Sequence, residues 1–161
     1  MGFPFKDLGI ALKDLAWPDD DGVGHPRFER HIQPDFHTCG ARTTYMVMRH
    51  FGSRRRYARV ERELRTDTDG TYETHVIRML RESGFSAGRR RNMKMADLER
   101  LLGRGGLLIA DVDEGRHYLV VHGLTNESVR LADPGILSLR RVSRTRFRGR
   151  WKRSGVAVMR R

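Results

Sequence analysis

Apolar positions recur at helical spacing through the first two thirds of the chain and at every second position through much of the rest. Phe5, Leu8, Leu12 and Leu15 predict a short helical arm that packs back on the body. The turn-forming stretch "PDDDGVGHP" breaks it. A helix is expected from Arg42 to Phe51, ending at Gly52, with Tyr45, Met48 and Phe51 on its buried face. A second, from about Tyr57 to Leu64, places Tyr57, Val60 and Leu64 on one side. A third follows Thr74, with Ile77 and Leu80 inward and Gly84 as its stop. A fourth runs from about Ala96 to Leu102 and stops at Gly103.

From residue 107 the period becomes two. "LLIADV" (107–112), "HYLVVHGL" (117–124), "SVRLAD" (128–133), "LSLRRV" (137–142) and "GVAVMR" (155–160) read as strands. Helices followed by an antiparallel sheet predict the α+β class, with N-terminal helices packed on a C-terminal antiparallel sheet. A doubly wound nucleotide-binding fold would alternate the two. "GRGG" at 103–106 is a helix stop, because it lacks both the Lys-Ser/Thr of a phosphate loop and the strand-turn-helix setting. No repeat or linker divides the chain. The expected organisation is an arm, residues 1–30, and one domain, residues 31–161.

Composition narrows the class. The 161 residues suffice for one domain with its own core. A single cysteine excludes an internal disulfide. No apolar run is long enough for a transmembrane helix, and the N-terminus lacks the cationic start of a secretory signal. A soluble protein in a reducing cytoplasm is expected. The formal net charge is +12. No Asp or Glu follows Asp133, whereas Arg140, Arg141, Arg144, Arg146, Arg148, Arg150, Lys152, Arg153, Arg160 and Arg161 do. This basic C-terminal segment reads as a site for an acidic or nucleic-acid partner. It reads more readily as a solvated surface, since the chain has 28 Arg and four Lys.

The one cysteine lies in "HIQPDFHTCGARTTYMVMRHFG" (31–52), where a polar loop meets a helix. At a helix start, unpaired N–H groups and the positive end of the dipole favour a thiolate. If the 117–124 and 128–133 strands form a hairpin turning at Thr125, Leu119 faces Leu131 and Val121 faces Val129. These four then make one apolar patch while Arg130 points away. The same register sets His117 opposite Asp133, and Pro134 ends the pairing. A carboxylate-held imidazole can take a proton from a nucleophile and return it to a leaving group. Cys39 is the natural nucleophile. Its own N–H and the side-chain amide of Gln33 could then bind the developing oxyanion. Gly40 would let a substrate backbone come close.

"Q-x5-C-G" at a helix start, then "HYLVV", "VRLADPG" and a distal "F-x3-W" (Phe147, Trp151), resemble the C39 peptidase family, papain-like cysteine proteases best known for removing leader peptides within bacteriocin exporters. The resemblance covers roughly residues 30–155, including "GTYETHVIRMLRESGF" and "MADLERLL". It implies a papain-like fold with Cys39 as nucleophile, His117 as base, Asp133 as its orienter and Gln33 as oxyanion donor. Thr38 stands where the family commonly has an acidic or amide residue, and Arg42 where a small one is usual. The exporters' membrane and ATPase regions have no counterpart here, so a stand-alone form is expected.

His25, His31 and His37 with Cys39 match no zinc spacing, and neither a metal nor a cofactor is expected. His50, His75 and His122 receive no role. Met46 and Met48 are core candidates. Three functions follow. The leading one is a cysteine endopeptidase acting on a peptide or protein through a thioester, with a leader peptide as one substrate. The second is a papain-like binding module whose site is idle. The third is a basic protein that associates with nucleic acid or another anionic partner.

Overall fold

A computed structural model describes residues 22–32, 38–135 and 140–161. The expected helical arm at 5–15, Gln33, His37 and residues 137–139 of one expected strand lie outside the described residues.

Helix α1 spans Cys39–His50, one turn earlier than expected. The Arg42 N–H donates to the Thr38 carbonyl at 2.8 Å, and the hydroxyls of Thr43 and Thr44 donate back to Cys39 O (2.9 Å) and Gly40 O (2.7 Å). Apolar spacing could not reveal a first turn stitched by threonines. Helices α2 (Tyr57–Glu63) and α3 (Glu73–Glu82) follow as expected. Val76 and Met79 join Leu80 in the core, with Ile77 at its margin. Strand β2 (Phe85–Arg90) was not expected, and it interrupts the helical half before α4 (Met95–Gly103).

Strands β3 (Leu107–Val112), β4 (His117–Leu124) and β5 (Ser128–Ala132) lie where the period of two put them. They are followed by β6 (Arg141–Ser143), a short helix α5 (Arg144–Arg150) and β7 (Trp151–Arg160). Helix α5 was not expected, because Phe147 is its only large apolar residue. Its clearest signal is Ser143, whose hydroxyl caps the helix by accepting the Arg146 N–H at 3.1 Å.

Among the described residues the sheet has seven strands in the order β2-β7-β3-β4-β5-β6, and β1 (Val23–Gly24) adds to β4. Every pairing is antiparallel. Alternation along the central strands feeds two cores. Leu107, Ile109, Val120, Val156 and Val158 pack with α1, α2 and α3 on one face. Leu108, Ala110, Val112, Leu119 and Val121 pack with Leu98 and Leu102 of α4 and Phe147 of α5 on the other. The class is α+β. Helices cover both faces of the sheet, which explains why "LLIADV" is buried at every position.

The hairpin register differs from expectation. Val121 faces Leu131 and Leu124 faces Val129, with a bulge between Val121 and Gly123. The turn closes through Thr125 N–H to Ser128 O at 2.9 Å, and His122 is the extra residue on β4. One inserted residue preserves the side of the sheet, so Leu119, Val121, Val129 and Leu131 still share a core. Arg130 does point the other way, and it is buried against Gly123, where an added Cβ would come within 2.9 Å of its Cδ.

Candidate active site

Three separate parts of the fold deliver Cys39, His117 and Asp133, while Gln33 lies outside the described residues. Cys39 is the buried first residue of α1. His117 opens β4 after a 3-10 turn, Asp113–Gly115. Asp133 follows directly on β5. In the observed register His117 faces Val112 of β3, so Asp133 reaches it diagonally from beyond the strand end. The pair nevertheless forms, with His117 Nε2 donating to Asp133 Oδ1 at 2.6 Å. Oδ1 also accepts the Gly135 N–H at 2.8 Å, which fixes the carboxylate just past Pro134.

Burial alone would lower the His117 pKa. Hydrogen bonds to Asp133 and Cys39, and the negative charge of both, outweigh it and hold the imidazole at about 9. At neutral pH the ring is therefore an imidazolium. One nitrogen is committed to Asp133, and the other, Nδ1, is left for Cys39.

Tyr118 lies on the opposite side of β4. Burial and the charges of Asp111, Glu73 and Cys39 raise its pKa well above the ordinary range, so it remains a neutral phenol. Beneath it the buried Asp111 accepts the Ser154 hydroxyl at 3.0 Å. Arg42 stacks on the ring of Tyr57, 3.3 Å from its centroid. Gly40 serves packing: an added Cβ would stand 2.8 Å from Cβ of Thr71. Phe147 and Trp151 are both buried and stack at 5.1 Å, and the Trp151 indole N–H donates to Ser154 O at 3.1 Å.

Sequence reasoning missed two charged neighbours. Arg150, the last residue of α5, donates from Nε and Nη2 to Asp113 Oδ1 and Oδ2 at 2.8 and 2.7 Å. The same Nη2 lies 3.9 Å from Asp133 Oδ2. Nothing in their spacing marks these residues, because a tertiary contact joins a turn to a helix end. Sequence reasoning also gave His50 and His122 no role. They flank Phe28, with ring centroids 4.8 and 5.0 Å from it, and His25 Nδ1 is hydrogen-bonded to His50 Nε2 at 2.9 Å. Among the described residues, no three His, Cys, Asp or Glu side chains converge as metal ligands would. No described helix is long and apolar enough to cross a membrane.

A thiol on a helix start beside a carboxylate-held histidine on an antiparallel sheet places the molecule in the papain-like class. The chain belongs to the peptidase C39 family, whose profile matches residues 28–161. A curated relative, the transport/processing ATP-binding protein ComA of Streptococcus pneumoniae, is 31% identical over 130 residues. That match covers 76% of this chain but only 18% of the relative's length. Among solved structures, the peptidase domain of Streptococcus ComA, described as a bi-functional ABC transporter in quorum sensing, superposes with a TM-score of 0.69 at 20% identity. It covers 81% of this chain and 97% of that one. A double-glycine-motif protease from an AMS/PCAT transporter, solved with its leader peptide, gives a TM-score of 0.71 at 17% identity over 86% and 94% of the two chains. These likenesses are of fold.

Proposed function

We propose that the protein is a cysteine endopeptidase that removes a leader segment from a peptide or protein substrate. The observation that carries this reading is the 2.6 Å His117–Asp133 hydrogen bond beside a thiol at the start of α1. Cys39 Sγ attacks the scissile carbonyl carbon, and the resulting oxyanion is bound by the Cys39 N–H and the Gln33 side-chain amide. The imidazolium of His117 gives its Nδ1 proton to the leaving amine as the C–N bond breaks. A thioester remains. His117 then takes a proton from water, and the hydroxide attacks the thioester. The acid is released, and the Cys39 thiolate and His117 imidazolium are restored as a pair. Asp133 holds the ring in orientation throughout.

The substrate class rests on the relatives. One acts at a double-glycine motif and binds a leader peptide, and cleavage after such a motif is the first specificity to test. A peptide carrying a leader that ends in Gly-Gly, incubated at neutral pH and followed by mass spectrometry, is expected to be cut once by the wild type. Cys39→Ala and His117→Ala should each lose at least about a thousandfold in kcat while keeping the circular dichroism of the wild type. Gln33→Ala should lose on the order of a hundredfold, as expected for one oxyanion donor. Undiminished hydrolysis by a folded Cys39→Ala protein would exclude the mechanism.

A further inference from the structure

Asp133 is nearly fully buried, and its two oxygens serve different neighbours. Oδ1 belongs to His117 and the Gly135 N–H. Oδ2 lies 3.9 Å from the Arg150 guanidinium. That guanidinium is clamped by a two-bond fork to Asp113, so its position does not depend on side-chain freedom in α5. Opposite charges consequently alternate along His117, Asp133, Arg150 and Asp113, with Cys39 beside the first of them. The far end of the row also holds backbone. Asp113 and Glu114 both adopt left-handed conformations, with φ of 52° and 61°, in the turn that leads into His117. Non-glycine residues there are strained and persist only when their surroundings hold them.

We propose that Arg150, through its fork to Asp113, is a positioning residue for the Cys39–His117 pair. It sets a cation against Asp133 Oδ2, which aims the carboxylate at His117, and it fixes the strained turn from which His117 emerges. Arg150 touches neither the thiol nor any atom that reacts. This inference rests on the peptidase reading, and its test separates the two.

The test measures the rate of Cys39 alkylation by iodoacetamide from pH 5 to 9, which needs no substrate. The proteins are the wild type, Arg150→Met, Arg150→Lys and Asp113→Asn, with thermal unfolding as the control for folding. The wild-type thiol is expected to react fast well below pH 8, where free thiols are still mostly protonated. Arg150→Met should react about tenfold more slowly near pH 6.5, its acid limb moved about one unit toward neutrality. Arg150→Lys returns a cation to Asp133 and should recover most of the limb, whereas Asp113→Asn loosens the fork and should fall between. A purely structural arginine would lower the melting temperature and leave the limb where it is. A folded Arg150→Met protein with the wild-type profile overturns the inference and leaves the peptidase reading standing. If Arg150→Met does not fold, wild-type profiles in both Arg150→Lys and Asp113→Asn overturn it equally. A wild-type thiol that behaves as a free one overturns the peptidase reading, and this inference with it.

Discussion

His117 and His122 sit on the same strand, and their surroundings push them in opposite directions. His122 is pulled down to about 4, first by burial and then by His50, Arg130 and His25, against a hydrogen bond from its Nδ1 to the His25 carbonyl. His50 is also held at about 4, by burial, His25 and Arg160. The folded protein therefore prefers both rings neutral. Their contribution to stability is complete above the ordinary value of 6.5 and disappears as pH falls from there toward 4. His117, held up at about 9, behaves inversely: its contribution is complete below 6.5 and is lost as pH rises through 9. Urea denaturation between pH 4 and 9.5 should accordingly show a stability maximum near pH 6.5. The acid arm should lose on the order of 3 kcal/mol for His122 alone. His122→Asn should flatten the acid arm and His117→Ala the alkaline one, and a midpoint that does not change between pH 6.5 and 4.5 would refute the assignment. His117 was legible in the sequence because a strand pattern put it on the same side of the hairpin as a distant "ADP", which the observed register leaves intact. His122 was not, since its partner His25 lies 97 residues away and no periodicity links them.

At the level of elements, legibility followed the density of apolar residues. Helices α1 to α4 and strands β3 to β5 carry enough of them for the period to show. "FSAGRR" and "RTRFRGR" do not, so β2 and α5 are specified by what they pair with and cap onto. The His117–Asp133 pair survived a mistaken register because the bulge at His122 moves partners along the strand without turning β4 over. Two glycines show how far local context decides an element. Gly40→Ala would drive a Cβ to within 2.8 Å of Thr71 Cβ, and a loss of about 1–3 kcal/mol is expected. Gly103→Ala, at the end of α4, meets nothing within 4 Å and should gain up to about 1 kcal/mol. Thermal melts of the two variants should move in opposite directions, and a shared direction would contradict the packing described for α1.

For the molecule as a whole, the basic C-terminal run is less a tail than a set of fastenings. Arg144 Nε donates to Thr125 O at 2.7 Å, Arg153 Nε to Met93 O at 2.8 Å and Arg160 Nη2 to Phe51 O at 3.3 Å, while Arg150 grips Asp113. Composition could register this charge but could not say that part of it is spent inside the fold. Residues 22–32 are likewise tied to the body, by Val23 opposite Leu124 and by Phe28 between His50 and His122. Phe28→Ala should cost about 3–5 kcal/mol and open this stretch to limited proteolysis. An unchanged denaturation midpoint with unchanged protease resistance would show that the stretch is not held there.

The strand order β2-β7-β3 carries a consequence for how the chain comes into being. The strand that joins β2 to β3 is the last of the described ones to leave the ribosome, and Arg150 and Trp151 arrive only with it. Cys39 is made early. At roughly 5–20 residues per second, translation of the stretch from Cys39 to β7 takes on the order of ten seconds. During that interval the nascent thiol has neither a closed sheet nor a settled histidine beside it, so the chemistry proposed for the site is withheld until β7 has been made.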